Sequence, residues 1–164
     1  MRELHREHST LARFVGALDI PLPPRLVAAI GFTLNEDLLV ELSKPDADLI
    51  RIQEILDEAK HSEVQIDGVT AEFRFRRTLE EVADKLVKNP DDLEVLAQLD
   101  NLTDICHALP FPMNLWQVQN RFWHVVHSAY GRYRVEAEQG TPTAIEWHQR
   151  VLGLADKLRV RLPA

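Results

Sequence analysis

Two histidines three residues apart, His124 and His127, are the nearest approach to a chemical motif in this chain. At that spacing both imidazoles share one side of a helix, as a pair of metal ligands would. A closed zinc site needs about four ligands and a catalytic one about three. His107 or His148 would have to supply the third, and no carboxylate is spaced to complete the set. The pair is therefore read as interface or hydrogen-bonding imidazoles, and no metal is expected. Arg74-Phe75-Arg76-Arg77 is the most basic cluster; at helical spacing Arg74, Arg77 and Glu81 predict a surface ion network rather than an anion site. Cys106 falls at an apolar position and reads as a small hydrophobe, not a nucleophile. Phosphate-binding glycine loops, nucleophile elbows, Cys-x-x-Cys and His-Glu-x-x-His are all lacking. No catalytic residue and no cofactor are expected from these residues.

The more informative pattern surrounds the histidine pair. Projected at 100° per residue, Leu115, Val118, Phe122, Val125, Val126, Ala129 and Tyr133 gather on one side of a helix over residues 114–136. That is a sufficient core face. The opposite side carries Trp116, Asn120, Trp123, His124, His127, Gly131 and Arg134. An indole can bury on the order of 150–250 Å², so two of them on an outer face imply a covering surface. Three kinds fit. A second helix of the same chain would bury the face; another domain or subunit would use its aromatic and arginine content; a sugar would stack its C–H faces on the indoles. Asn114, with Gln117 three residues on, matches a capping box that would start this helix.

The elements that position this face follow from apolar spacing and punctuation. Leu4, Leu11, Phe14, Val15 and Leu18 predict a helix over 2–18, closed by Asp19-Ile20-Pro21-Leu22. Pro23 and Pro24 suit a first helical turn, and Leu26, Ile30, Leu34, Leu38 and Leu42 continue from there, with Gly31 weakening the middle. Ser43-Lys44-Pro45-Asp46 breaks the pattern before Leu49, Ile52, Ile55, Leu56 and Ala59. A polar connection, with a short extended piece at Val64-Gln65-Ile66, leads to a helix over 69–88 that turns Phe75, Leu79, Val82 and Leu86 inward. Asn89-Pro90-Asp91-Asp92 reads as a cap, a first-position proline and two acids, opening a helix that buries Val95, Leu99, Leu102, Cys106 and Leu109. After Gly140-Thr141-Pro142 the last apolar face is Ala144, Trp147, Val151, Leu154 and Leu158. The prediction is an all-α fold, a single bundle of about seven helices over residues 1–164.

Composition narrows the class further. The chain has 164 residues and a net charge of −7, opposite in sign to the basic footprint of a nucleic-acid binder. One cysteine permits no internal disulfide, and no apolar run reaches membrane-spanning length. A soluble, cytoplasmic protein without nucleic-acid or membrane partners is expected.

Leu109-Pro110-Phe111-Pro112-Met113-Asn114-Leu115-Trp116-Gln117-Val118-Gln119-Asn120 resembles the signature of a helical C-terminal domain of unknown function. That domain follows the catalytic barrel in bacterial proteins of the glycoside hydrolase family 57 type. Ile20-Pro21-Leu22-Pro23-Pro24, Leu34-Asn35-Glu36-Asp37-Leu38, Asp48-Leu49-Ile50-Arg51-Ile52 and Asn89-Pro90-Asp91-Asp92-Leu93-Glu94 are similar and fall in the expected order. Phe122-Trp123-His124 departs from the tyrosines and acid of the pattern. The barrel with its carboxylate nucleophile and acid has no counterpart in these residues, so no catalytic residue is carried over. The resemblance implies a non-catalytic accessory domain, the C-terminal part of a larger architecture. Its partners would be a catalytic barrel and an α-glucan, met through Trp116, Asn120, Trp123, His124, His127 and Arg134. The alternative is a free-standing interaction module in which the same face forms a homodimer with no carbohydrate role.

Overall fold

The computed structural model describes residues 23–163, and among these it holds six α-helices and no strand. The fold class is all-α, as expected from the apolar periodicity. They are α1 (Pro24–Leu42), α2 (Leu49–His61), α3 (Gly68–Lys88), α4 (Leu93–Ala108), α5 (Trp116–Glu138) and α6 (Pro142–Leu158). The helix expected over 2–18 lies outside the described residues. None of the six is long and apolar enough to cross a membrane.

The chain divides into two compact units, with the division in α3 falling between Ala71 and Glu72. In the first unit α1 packs on α2, burying Leu34, Leu38, Leu42, Ile52, Ile55 and Ala59. Proline is tolerated where α1 starts because first-turn N–H groups have no intrahelical partner; here the Pro23 carbonyl accepts from Leu26 N and Val27 N. Asp48 caps α2, its Oδ1 accepting from Ile50 N at 2.8 Å. The segment at 64–67 is not a strand. It is nonetheless held like one, by a side chain instead of a neighbouring backbone. Asn35 Nδ2 donates to Gln65 O at 3.2 Å, and Asp67 N donates to Asn35 Oδ1 at 2.7 Å. Gly31 lets this segment approach: a Cβ there would lie 3.2 Å from Val64 Cγ1. The glycine that weakens α1 by propensity thus leaves room for the connection that lies over it.

In the second unit α6 packs against both α4 and α5. Its face Ala144, Trp147, Val151, Leu154 and Leu158 is buried as predicted. Trp147 is wholly buried, stacks on Tyr133 with centroids 4.1 Å apart, and donates from Nε1 to Pro90 O at 2.8 Å. Two details at the start of α4 differ from expectation. Asn89 is not the cap and Pro90 is not in the first turn; the helix starts at Leu93, with Asp92 Oδ1 accepting from Glu94 N and Val95 N at 3.1 Å. The buried side of α4 is also rotated, to Leu96, Leu99, Leu102, Thr103 and Ile105, leaving Val95 and Cys106 half-buried. Thr103 can be buried because its hydroxyl donates to Leu99 O at 2.7 Å, which removes most of the cost of a buried polar group. Leu109 is buried, as predicted.

Candidate functional site

The core side of α5 is Val118, Phe122, Val125, Val126, Ala129, Tyr130 and Tyr133. It agrees with the helical projection except at its margins. Leu115 precedes the helix, and Tyr130, not anticipated, joins the core with its hydroxyl 3.1 Å from His148 Nε2. Burying such side chains stabilises the unit by roughly 1.5–3 kcal/mol for each large apolar group, so this face needs no functional explanation.

The opposite side is a surface. Trp116 is 61% exposed and Trp123 is 44% exposed. His124, His127 and Arg134 are exposed and Asn120 is half-buried. All six predicted residues therefore lie along one stripe, which runs ~27 Å from Trp116 to Arg134 at 1.5 Å per residue. Within it, the rings of Trp123 and His127 stack at 3.7 Å with 27° between their planes, and His124 meets the same indole edge-on at 5.2 Å. His127 Nδ1 donates to Trp123 O at 2.9 Å, which holds the imidazole over the indole. Large, rigid aromatic surface already ordered before binding lowers the entropy lost on association. Among the described residues no group of three or more His, Cys, Asp or Glu side chains is placed to hold a metal ion. His107 instead donates from Nδ1 to Thr103 O, and His148 meets Tyr130.

The N-terminal end of the stripe opens into a cleft of about 670 Å³. Its walls come from separate parts of the second unit: Glu72 on α3, His107 on α4, the 112–116 loop, Gln119 on α5, and Lys157 to Arg159 at the end of α6. Hydrogen bonds fix this geometry. Gln119 Nε2 donates to Leu158 O at 2.9 Å and Trp116 N donates to Asn114 Oδ1 at 3.1 Å. The expected capping box is not formed. The helix begins at Trp116 rather than Asn114, and Gln117 Oε1 accepts from Arg121 Nη1 at 3.3 Å instead of reaching back. Arg121 is also drawn to Asp84 on α3, which anchors this end of α5.

Arg159 closes α6 at φ +54°, with Val160 N bonding back to Ala155 O at 2.9 Å. Glycine usually takes that left-handed position, and a side chain there costs roughly 1–2 kcal/mol. The result is a guanidinium-bearing residue in the cleft wall. Next to it, Lys157 Nζ bridges Asp100 and Asp104 at 2.7 and 2.8 Å. Partial burial opposes its charge, but the hydrogen bonds it donates to both carboxylates outweigh that and hold the ammonium above its ordinary range. Of the network expected from Arg74, Arg77 and Glu81, the Arg77–Glu81 pair is formed at 3.5 Å, and Arg76, not anticipated, pairs with Glu72 and Glu80 at 3.1 and 3.4 Å.

Cys106 is half-buried, and desolvation pushes its thiol up to about 12, against a usual 9.0. A thiol so weakly acidic makes a poor nucleophile at neutral pH.

No known family model matches the chain, and neither do any curated protein or solved structure.

Proposed function

We propose that this chain is a non-catalytic helical accessory module of a carbohydrate-active protein of the glycoside hydrolase family 57 type. In this reading the outer stripe of α5 docks a catalytic barrel and brings an α-glucan to the same edge of the module. The observation that carries it is the pair of exposed indoles on one side of α5, opposite a face that already completes the core. Aromatic side chains with arginine are the usual anchors of an interface, and the stripe joins Trp116 and Trp123 to Arg134. The Leu109–Asn120 signature adds the identity of the client, by resemblance. A single cysteine, with no thiol in the chain to pair with, suits a reducing compartment such as the cytoplasm.

The test is a mixing experiment. The purified 18.8 kDa chain and a separately expressed family-57-type barrel should co-elute on size exclusion. Trp123→Asp should abolish co-elution without changing the far-ultraviolet circular dichroism. Failure to form a complex at tens of micromolar, or an unaffected Trp123→Asp complex, would overturn the docking role. Sedimentation of the chain alone at twice its mass, reversed by Trp123→Asp, would assign the stripe to a second copy instead.

A further inference from the structure

We propose that the cleft beside Trp116 is a saccharide-binding subsite, separate from the Trp123–His127 part of the stripe. This rests on the carbohydrate half of the function proposed above and gives it a location. The cleft holds about 670 Å³, within the range of roughly 300–1,000 Å³ typical of small-ligand sites.

Its charges point to a neutral ligand. Lys157 is already neutralised by Asp100 and Asp104, and Glu72 is paired with Arg76. Arg159 contributes one positive charge, fewer than the cluster of cations an acidic or phosphorylated ligand usually meets.

The polar valences point the same way. Asn114 uses Oδ1 on the Trp116 amide, and Gln119 uses Nε2 on the Leu158 carbonyl. Asn114 Nδ2 and Gln119 Oε1 remain as a donor and an acceptor of the same cleft. A sugar hydroxyl, which both donates and accepts, matches such a set.

Trp116 supplies the remaining element. Its indole, 61% exposed at the cleft, is a flat apolar surface on which the C–H face of a pyranose can lie, while the hydroxyls at the ring edge reach amides. A peptide is a poorer fit. Extended peptides pair with a sheet edge and helical ones fill an apolar groove. The described residues contain no strand, and the apolar wall here, from Pro112, Met113, Leu115, Trp116 and Leu158, is broken up by amide, imidazole and charged groups.

The experiment uses the full chain and maltohexaose, followed by tryptophan fluorescence and calorimetry. A dissociation constant of about 0.1–1 mM, or roughly 4–5.5 kcal/mol, is expected. Trp116→Ala should weaken binding at least ten-fold and Trp116→Tyr should retain part of it. Phe32→Ala, at an exposed aromatic outside this cleft, should leave saccharide affinity unchanged. Circular dichroism checks that each variant is folded, and Gln119→Leu gives a second lesion in the same cleft without touching an indole. Cellohexaose provides the linkage control; an equal response keeps the subsite and removes the α-linkage preference.

No heat and no fluorescence change up to 10 mM of either sugar would overturn the subsite. So would undiminished binding by Trp116→Ala. Barrel docking is read independently: co-elution without saccharide binding sinks the subsite alone, and saccharide binding without co-elution sinks the docking reading alone.

Discussion

Trp147 and Trp123 are the same residue type in opposite roles, and replacing Trp147 with phenylalanine measures how much the second unit depends on the buried one. Trp147 has no exposed surface. Phenylalanine keeps a ring to stack on Tyr133, which lies 4.1 Å away at 13°, but removes two things. The Nε1 donor to Pro90 O at 2.8 Å disappears, and Pro90 is only partly buried. Water can therefore satisfy part of the loss, which puts it near the low end of the range for an orphaned acceptor, about 1 kcal/mol. The lost pyrrole portion leaves a void that the surrounding helices fill incompletely, adding about 1–2 kcal/mol of transfer and cavity terms. The expected destabilisation is about 2–3 kcal/mol. With an m-value of about 2 kcal/mol/M in urea, the midpoint should fall by about 1–1.5 M. Far-ultraviolet circular dichroism should be used for the melt, because the substitution removes a fluorophore. Trp123→Phe in parallel should move the midpoint by no more than about 0.25 M, as expected of a surface change near 0.5 kcal/mol. A Trp147→Phe midpoint within 0.3 M of the parent would refute the reasoning that this indole ties α6 to the turn before α4.

Further outcomes follow from the first unit and from Cys106. Asn35→Ala removes both bonds that hold the 65–67 segment and should cost about 1–2 kcal/mol; amide exchange at Asp67 should accelerate before the helices open. Gly31→Ala should forfeit most of the roughly 1 kcal/mol gain in helix propensity, because the new Cβ meets Val64 Cγ1 at 3.2 Å. The gain should appear when Val64→Ala is already present, and a double-mutant cycle reads the difference. The Cys106 thiol is raised by burial in the folded chain, to about 12 from 9.0. Its contribution to stability is therefore complete below pH 9 and is lost as pH rises from 9 towards 12; thermal melts across that window should show the decline, and Cys106→Ala should flatten it. Iodoacetamide at pH 8 should label Cys106 slowly in the folded chain and rapidly in urea; equal rates would contradict the buried-thiol assignment.

Much of the fold is legible from apolar spacing, and its failures have specific causes. On α6 one clean stripe leads to one possible buried face, and Ala144, Trp147, Val151, Leu154 and Leu158 are buried as spacing predicts. On α4, Val95, Leu96, Leu99, Leu102, Ile105, Cys106 and Leu109 extend around more than one side, so periodicity permits several buried faces. Packing against α6 selects the one with Leu96 and Ile105, and the internal bond of Thr103 makes that choice affordable. The start of α4 is ambiguous for a related reason: Asn89 and Asp92 are both good caps, and only Asp92 is placed to accept from the following amides. The Asn35 clamp was not visible at all, because its partners Gln65 and Asp67 stand 30 and 32 residues away.

The sequence by itself determined that residues near 114–136 form a helix with an aliphatic side and a tryptophan–asparagine–histidine–arginine side. Side-chain angle about a helix axis depends on local spacing alone. Only the tertiary structure decided which neighbours lie along that axis. It placed α6 against the aliphatic side, left Trp116 and Trp123 exposed, and drew Glu72, His107, Gln119 and Arg159 around one cleft. Those residues are brought together by packing between helices, and no periodicity within a single helix encodes which distant side chains will meet.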